Sequence, residues 1–416
     1  MGDARNQDKL GDAEIVVIGG GAVGCGVAYS LAKAGKRDIL LIEKAHGVGK
    51  ATTSQGAGLA GQLRSSVDRT RLAMHSVATF RELEKDPDAR PEWHPVGSLR
   101  IAETPERVSE FAKLEKVASE AGLEVASITR DEAMRLWPGM DFTRARAILW
   151  CSTDGYMNPA SVVNAYENQC RRMGVRFATE TSVDGITVND SRVEAVETSR
   201  GRVRCRYAIN AAGAHAHHVA KLAGLDLPIV PVRHEYFVTV KLPGIHPGLP
   251  CFRIPDSTLY GRPSGDGVLL GGWEPKSAMT DPRSYSVAGS PPSIEPDRPV
   301  LESFTRSFRA FLPGTEGAEY RRVGKGWPTF TPDGRFILGE SSRVKGFVMA
   351  GGCNAHGISG SAGIGRLLVE ALFDPKPSSY VKSLSPDRFT ESSWDWSDAS
   401  RKAQRIYETY YALEGC

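Results

Sequence analysis

Two short apolar runs lie near the start of the chain, Ile15 to Ile18 and Ile39 to Ile42. Continuous apolar runs of this length are typical of parallel strands that are buried on both faces. Between them, apolar residues follow a helical spacing that extends to Gly35, a residue type that favours the end of a helix. The pattern therefore predicts a strand, a helix and a second strand parallel to the first.

Further helices and strands are predicted along the rest of the chain. Helical patterns cover 70–84, a segment with Thr104 as N-cap and Pro105 in the first turn, a segment opened by Asn158 and Pro159, and 301–312. Strand patterns cover 97–102, 175–209, 207–215 and 231–273. The pattern over 347–372 predicts a strand, a glycine turn and a helix. Because β-rich segments interrupt the strand–turn–helix segments, we predict an α/β fold whose two domains are interleaved in sequence.

The turn after the first strand carries a glycine motif with a chemical purpose. Gly19, Gly21 and Gly24 form G-x-G-x-x-G, and Glu43 ends the second strand. In a dinucleotide-binding βαβ unit, such glycines allow a tight turn, close approach to a pyrophosphate and close helix packing. The acidic residue binds the ribose hydroxyls, and the positive end of the helix faces the phosphates. The motif predicts binding of a dinucleotide cofactor.

Composition narrows the class of protein. The chain has 416 residues, 41% of them hydrophobic, and a net charge of +3, which is typical of a globular protein and does not favour nucleic acid as a partner. No apolar run is long enough to span a membrane, and the polar start lacks the apolar core of a signal peptide. The seven cysteines include no C-x-x-C pair, so we expect no disulfide framework and no metal site. A reducing cytoplasm is the expected location.

Several further stretches carry a family resemblance. They are GAGLAGQLRSS (56–66), GSLRIAETPERVSEF (97–111), DGYMNPASVVNA (154–165), NAAGAHA (210–216), PVRHEYFVT (231–239), YGRPSGDGVLLGGWEP (260–275), TPDGRFILGE (331–340) and NAHGISGSAGIGR (354–366). Together with the glycine motif they resemble the D-amino-acid-oxidase-like flavoproteins, and within them the oxidase half of the dimethylglycine/sarcosine dehydrogenase group. The folate-binding region of the larger members has no counterpart in these stretches.

The resemblance implies a division of the chain into two discontinuous domains and a tail. An FAD-binding Rossmann-like domain of the glutathione-reductase type would comprise 13–90, 150–220 and 320–385. An α+β substrate domain built on an antiparallel sheet would comprise 91–149 and 221–319, with a C-terminal tail at 386–416. The cofactor implied is FAD, with contacts from Gly19, Gly21, Ala22, Val23, Gly24, Glu43, Lys44, Thr53, Ser54, Gln55, Ala57, Gly58, Leu59, Val183, Ala212, Gly213, Gly326, Gly352, His356, Gly357 and Ile358.

The chain departs from the family at positions that attach or use the flavin. Gln55 stands where one branch has the histidine that bonds FAD, and Gly326-Trp327-Pro328 stands where another branch has the corresponding cysteine. We therefore expect FAD to be held non-covalently. Leu269 aligns with a lysine that promotes the reaction of reduced flavin with oxygen in small sarcosine oxidases, so oxygen is expected to be a poor acceptor and an electron carrier a better one.

The resemblance also implies candidate catalytic and substrate-binding residues. His234 and Tyr236 alternate on one predicted strand and would face the flavin together, and His356 would lie beside it in the C-terminal glycine turn. Arg64 and Arg262 are candidates for a substrate carboxylate, because a guanidinium can bind one through two hydrogen bonds. A structural role in the core or on the surface is the alternative for each of these residues.

The implied reaction is oxidation of a secondary or tertiary amine, such as dimethylglycine or sarcosine, by transfer of a hydride to flavin N5. The protein would orient a neutral amine, because only an unprotonated nitrogen has the lone pair that drives hydride loss. Two alternatives remain open: oxidation of a cyclic or D-amino acid, and a non-catalytic FAD-binding subunit. The sequence does not specify the oligomeric state.

Overall fold

The structure is a computed structural model that describes residues 10–413. The start at 1–9, on which the expectation of no signal peptide rests, and Cys416 lie outside the described residues. The described α-helices are α1 Ala22–Lys33, α2 Val67–Leu83, α3 Pro105–Ala121, α4 Arg130–Leu136, α5 Pro159–Arg172, α6 Ala216–Leu222, α7 Arg298–Phe308, α8 Ser361–Phe373, α9 Ser379–Ser383, α10 Asp387–Thr390 and α11 Trp396–Glu408.

The strands are short and spread over the whole described chain. They are β1 Ile15–Ile18, β2 Ile39–Ile42, β3 Leu59–Ala60, β4 Ser98–Ala102, β5 Ala126–Ser127, β6 Ala147–Cys151, β7 Gly155–Tyr156, β8 Arg176–Ala178, β9 Val183–Asn189, β10 Arg192–Thr198, β11 Gly201–Arg204, β12 Tyr207–Asn210, β13 Val230–Pro231, β14 His234–Thr239, β15 Cys251–Ile254, β16 Leu259–Ser264, β17 Gly267–Gly272, β18 Tyr320–Gly326, β19 Thr329–Phe330, β20 Ile337–Glu340 and β21 Phe347–Gly351.

A six-stranded sheet carries the glycine turn at the end of its strand β1. Its strand order is β20-β21-β12-β1-β2-β8, and every pair except β20–β21 is parallel. Strands β1 and β2 are buried along their full length, as their continuous apolar runs predict. Helix α1 packs against α8 and α5 on one face of this sheet. The predicted strand–helix–strand unit is confirmed.

An eight-stranded sheet forms the second half of the core. Its order is β18-β14-β17-β16-β15-β4-β6-β5, and all of its pairs are antiparallel except β15 with β4. Its outer face packs on α7 and α4 through a cluster that includes Trp137, Phe252 and Phe308. The other face bears polar and aromatic side chains toward a large cavity, which is described below.

The helix predictions hold to within a few residues at their ends. Thr104 caps α3 by accepting a hydrogen bond from the Arg107 amide, and Asn158 caps α5 through the Ala160 amide. The predicted strand over 207–215 is shorter, because Gly213–His215 forms a 3₁₀ turn. The α/β fold with a mostly antiparallel second sheet is confirmed, whereas the domain boundaries remain a proposal. No helix in the described part of the chain is both long and apolar enough to cross a membrane.

Candidate active site

The glycine turn after β1 leaves the start of α1 open. Gly19 has φ of +108°, and a side chain there would bring its Cβ within 2.6 Å of the Ala211 carbonyl oxygen. A side chain on Gly24 would overlap the Gly19 carbonyl. No side chain caps α1 at Gly21, so amide N–H groups of its first turn remain available to a ligand. The turn therefore has the shape and polarity that a pyrophosphate requires.

Glu43 is held in place at the end of β2. Its Oε2 accepts a 2.7 Å hydrogen bond from the Gly20 amide, and its Oε1 accepts one of 2.8 Å from Ala45. A carboxylate has about four lone-pair sites, so acceptor capacity remains for ribose hydroxyls. Lys44 is occupied elsewhere, because its Nζ lies 2.7 Å from the Gly289 carbonyl and 3.0 Å from His215 Nε2.

The segment 52–59 forms the wall opposite α1. The Ala22 amide donates to Thr53 Oγ1 at 3.0 Å, which joins this segment to the helix start. Gln55 lies against Gly326, where an added Cβ would be 2.5 Å from Gln55 Oε1. Gln55 and the segment Gly326-Trp327-Pro328, where the family resemblance implies the two attachment sites, are thus neighbours here. Neither carries a histidine or a cysteine.

A cavity of about 600 Å³ extends from the glycine turn to the eight-stranded sheet. The predicted residues that line it are Gly21, Ala22, Val23, Thr53, Gln55, Ala57, Gly58, Leu59, Arg64, Gly213, His234, Gly326, His356, Gly357 and Ile358. The predicted residues outside its lining are Gly19, Gly24, Glu43, Lys44, Ser54, Val183, Ala212, Tyr236, Arg262 and Gly352. An uncapped helix start, a glycine-lined channel and a fixed acid at the end of β2 together fit FAD.

The floor of the cavity is formed by Arg100, Arg253 and Tyr260, which begin a row of cross-strand partners in the large sheet. Arg100 pairs with Arg253, Arg253 with Tyr260, and Tyr260 with Gly271. Gly271 in turn pairs with Tyr236, and Tyr236 with Gly324. The glycines leave space for the tyrosine rings, because a side chain on either would overlap the neighbouring tyrosine.

Tyr236 lies beneath this floor. It is 2% exposed, and its hydroxyl donates a 3.2 Å hydrogen bond to the Gly56 carbonyl while accepting one of 3.2 Å from Arg322. It therefore supports the 52–59 segment from below. Its strand neighbour His234 does line the cavity.

His234 is enclosed by aromatic side chains. Its Nε2 is 2.6 Å from the Tyr260 hydroxyl and its Nδ1 is 3.0 Å from the Tyr407 hydroxyl, and its ring stacks on Trp273 at 4.7 Å. Burial lowers the pKa of His234 to about 4, so the imidazole is neutral at pH 7. A neutral imidazole donates from one nitrogen and accepts at the other, and both nitrogens have a hydroxyl partner here.

His356 is fixed in one tautomer. Burial, together with the positive charge of nearby Arg64, holds the pKa of His356 well below its usual range. Its Nδ1 is 2.8 Å from the Asn354 carbonyl, which can only accept, so Nδ1 carries the proton. Nε2 then accepts a 2.9 Å hydrogen bond from the Tyr410 hydroxyl. Tyr410 itself stacks on Trp273 at 3.6 Å.

The two predicted arginines occupy different environments. Arg64 lines the cavity, and within the described chain its guanidinium donates to one group, the Leu63 carbonyl at 2.9 Å. Burial lowers the pKa of Arg64 to about 10, and the positive charges of Arg253 and Arg100 act in the same direction. Arg262 instead donates to the carbonyls of Ala57, at 2.6 Å, and Pro263, at 2.8 Å, outside the cavity lining.

The sequence reasoning missed cavity-lining residues that come from distant segments. They are Arg69, Arg100, Arg253, Tyr260, Trp273, Tyr410 and Tyr411. A signal was present for the tail, because 405–413 also resembles the end of the oxidase half in this family. The arginines on β4 and β15 had no signal, because only the parallel pairing of these two strands brings them together.

The histidines near 215 do not form a metal site. No group of three or more potential metal ligands occurs among residues 10–413. His215 contacts Lys44 and the Gly289 carbonyl, and burial lowers its pKa to about 4. Cys353 lines the cavity, but burial raises the pKa of its thiol to about 12, which keeps it protonated.

The chain is similar to known flavoproteins along most of its length. The family described as FAD dependent oxidoreductase (DAO) matches residues 14–371. Mitochondrial dimethylglycine dehydrogenase of Rattus norvegicus is 29% identical over 406 residues, which cover 96% of this chain and 47% of that protein. Mitochondrial sarcosine dehydrogenase of Mus musculus is 29% identical over 404 residues, covering 96% and 43%. The chain thus spans less than half the length of these relatives.

The chain is also similar to a regulatory subunit and to a solved structure. The mitochondrial pyruvate dehydrogenase phosphatase regulatory subunit of Mus musculus is 27% identical over 383 residues, covering 91% of this chain and 43% of that protein. Among solved structures, L-proline dehydrogenase from P. horikoshii superimposes with a TM-score of 0.82 at 23% identity, covering 91% of this chain and 98% of the other. The fold is therefore that of the FAD-dependent oxidoreductases.

Proposed function

The chain belongs to the family of FAD dependent oxidoreductases, and from this premise we propose that it oxidises a secondary or tertiary amine of the N-methyl amino acid class. The observation that carries the proposal is the cavity itself. The cavity joins a glycine turn of the dinucleotide-binding type to a pocket that contains Arg64, His234 and His356. Arg64 has no acidic partner among the described residues, and both histidines are neutral at pH 7. Relatives named as dimethylglycine and sarcosine dehydrogenases support this substrate class.

We propose that Arg64 binds the substrate carboxylate. Arg262 is less suited to this role because backbone carbonyls already occupy its guanidinium. The chemistry that FAD supplies when bound is acceptance of the hydride that leaves the carbon next to nitrogen. The aromatic wall around His234 would enclose the amine, and neither His234 nor His356 would protonate it, since both imidazoles stay uncharged at pH 7.

Anaerobic mixing with sarcosine and dimethylglycine tests this function. Bleaching of the bound flavin near 450 nm, with formation of formaldehyde, is the expected result. The rate of bleaching should rise with pH as the substrate amine loses its proton. Arg64→Ala should weaken the apparent affinity for these substrates while flavin stays bound. No bleaching by any secondary or tertiary amine would contradict the proposal.

We also propose that FAD is held non-covalently. Gln55 and Gly326-Trp327-Pro328 stand where the family resemblance implies attachment of the flavin, and none of these residues is a histidine or a cysteine. Cys353, which also lines the cavity, is kept as a protonated thiol. Acid precipitation should leave the yellow colour in the supernatant. Flavin that stays on the precipitated protein would contradict the prediction.

A non-catalytic role is the second candidate, and the similarity to a phosphatase regulatory subunit favours it. A protein of that kind would bind FAD but show no bleaching with any amine tested. A single anaerobic titration therefore distinguishes the two candidate functions.

For the cellular location of the protein we propose a reducing compartment such as the cytoplasm. This agrees with the six free, buried cysteines among the described residues.

A further inference from the structure

Four arginines line the deep end of the cavity, and we call them the arginine cluster: Arg64, Arg69, Arg100 and Arg253. Arg100 lies on β4 and Arg253 on β15, whereas Arg64 precedes α2 and Arg69 lies in its first turn. No ion pair joins any of them to an acidic group within the described residues 10–413. An unneutralised group of four cations in a partly enclosed space needs an explanation.

The strand register forces two of these arginines together. Arg100 on β4 and Arg253 on β15 are direct cross-strand partners in the parallel pair, so their side chains rise from the same face. Like charges placed opposite each other in a sheet are destabilising. Arg100 and Arg64 also approach the same atom, the Leu63 carbonyl oxygen, at 3.5 Å and 2.9 Å. Three guanidinium groups therefore converge on one small region.

The acids near the cavity are already engaged. Glu110 pairs with Arg107 at 2.7 Å, and Asp333 pairs with Arg388 at 2.8 Å and Arg335 at 3.0 Å. The buried carboxylate of Asp154 accepts from the Ser98 hydroxyl at 2.5 Å and from the Gln62 amide at 2.8 Å. The charge of Asp154 still acts on Arg100 and Arg253, although no ion pair joins them. One carboxylate therefore faces the four cations of the arginine cluster, and net positive charge remains for a ligand.

We infer that the substrate of this chain carries two acid groups, a proximal one on Arg64 and a distal one on Arg100 and Arg253. Arg64 lies near His356, with which it lines a small side pocket, and His356 is hydrogen-bonded to Tyr410. Arg100 and Arg253 lie on the sheet, where they could bind a second carboxylate from two sides. This inference rests on the proposed function, and it narrows the substrate class to N-substituted amino diacids.

Ligand binding to the FAD-loaded protein tests the second acid group without any turnover. Glutarate and its monoamide, glutaramate, have nearly the same shape and differ by one charge. Their dissociation constants can be measured from the change in flavin absorbance. Glutarate should bind at least about tenfold more tightly, since one added charge-assisted contact contributes about 1.4 kcal/mol or more. Equal binding of the two ligands overturns the inference.

Substitutions in the arginine cluster test which residues cause the preference for glutarate over glutaramate. Arg100→Gln and Arg253→Gln should bring the glutarate-to-glutaramate ratio close to one while glutaramate binding stays nearly the same. Arg100→Lys should retain part of the preference and guards against loss of folding. Arg202→Gln is the matched control, because this exposed arginine pairs with Glu194 and Glu197 on a different sheet. An unchanged ratio in both cluster variants overturns the assignment.

Two other outcomes separate this inference from its premise. If the Gln variants lose FAD, the cluster belongs to the cofactor site and the inference fails. If sarcosine bleaches the flavin as efficiently as N-methyl-L-aspartate, amine oxidation stands but the second acid group is refuted. If glutarate binds selectively and no amine bleaches the flavin, the diacid site is supported and the proposed function is refuted. Faster bleaching by N-methyl-L-aspartate than by N-methyl-L-asparagine supports both.

Discussion

At the scale of single residues, the cavity is defined by groups that burial keeps neutral. His356 accepts from Tyr410 through Nε2, and its Nδ1 proton is held by the Asn354 carbonyl. A histidine in this arrangement is a fixed acceptor and donor, which does not suit the uptake of a proton from the substrate amine. Such a site favours substrates that arrive with an unprotonated nitrogen.

Tyr410→Phe tests how far the tail hydroxyl fixes His356. Removing the hydroxyl leaves the buried Nε2 without a partner, which costs about 1–3 kcal/mol in unfolding free energy. We expect a lower urea midpoint and, because His356 is freed, slower flavin reduction. Tyr207→Phe serves as the control, because no hydrogen bond is described for that hydroxyl between residues 10 and 413. Equal loss in the two variants would mean that the Tyr410–His356 contact is unimportant.

Leu269 allows a prediction about oxygen. Leu269 is fully buried in a hydrophobic cluster with Tyr236 and Tyr260. Ala57 and Leu59 of the cavity wall pack against this cluster. An apolar side chain supplies no positive field to stabilise charge that develops when oxygen is reduced. Reduced protein mixed with air-saturated buffer should reoxidise slowly, and Leu269→Lys should speed this at least about tenfold. Leu269→Met is the size-matched control. Fast reoxidation of the wild type would contradict the prediction.

At the scale of elements, the floor of the cavity depends on glycines placed opposite tyrosines. Gly324 on β18 pairs with Tyr236 on β14, and an alanine there would overlap the phenol ring. Strand glycines usually weaken a sheet, so their presence here reflects the space that the ring needs.

Gly324→Ala should therefore displace the ring of Tyr236 and destabilise the protein. Overpacking of this kind costs about 1–3 kcal/mol, which a urea titration can resolve. Gly314→Ala provides the control, because a side chain at Gly314 meets no atom within 4 Å and its φ is not in the left-handed region. Its effect should stay within about 0.5 kcal/mol. Similar midpoints for the two variants would refute the steric argument.

Much of this element order could be predicted from the sequence. The apolar runs of β1 and β2 and the capping residues Thr104 and Asn158 give local signals that the structure confirms. The pairing of β4 with β15 could not be predicted, because parallel register depends on packing between segments far apart in the chain. Arg100 and Arg253 therefore looked like ordinary surface arginines until the sheet was known.

At the scale of the whole molecule, buried histidines tie stability to pH. Burial lowers the pKa of His215 and of His234 to about 4, from an ordinary value of 6.5. Between these two pH values the unfolded chain binds more protons than the folded chain does. These histidines therefore lower the free energy of unfolding as the pH drops below about 6.5, and their contribution is fully present above that value. Glu274 acts in the opposite direction, because burial raises its pKa from 4.5 to about 7, but it is one group against the two histidines.

Urea unfolding at pH 7.5 and pH 5.0 measures this effect. Each such histidine contributes a slope of at most about 1.4 kcal/mol per pH unit in this window. His234→Gln should reduce the dependence of the unfolding free energy on pH by about the contribution of one histidine, because glutamine does not titrate. Wild-type stability that is equal or greater at pH 5.0 would contradict the prediction.

The pairing of Gly324 with Tyr236 also has a consequence for how the family diverges. Because the ring fills the space that a side chain at 324 would need, the two positions are not free to change independently. Homologues that have a side chain at the position of Gly324 should lack the aromatic ring at the position of Tyr236. Loss of the ring should come first, because it makes the space that the new side chain needs. The same correlated change is expected at Gly326 and Gln55, which lie in the two regions where the family resemblance implies flavin attachment. A change in how the flavin is attached would therefore require coordinated substitutions on β18 and in the 52–59 segment.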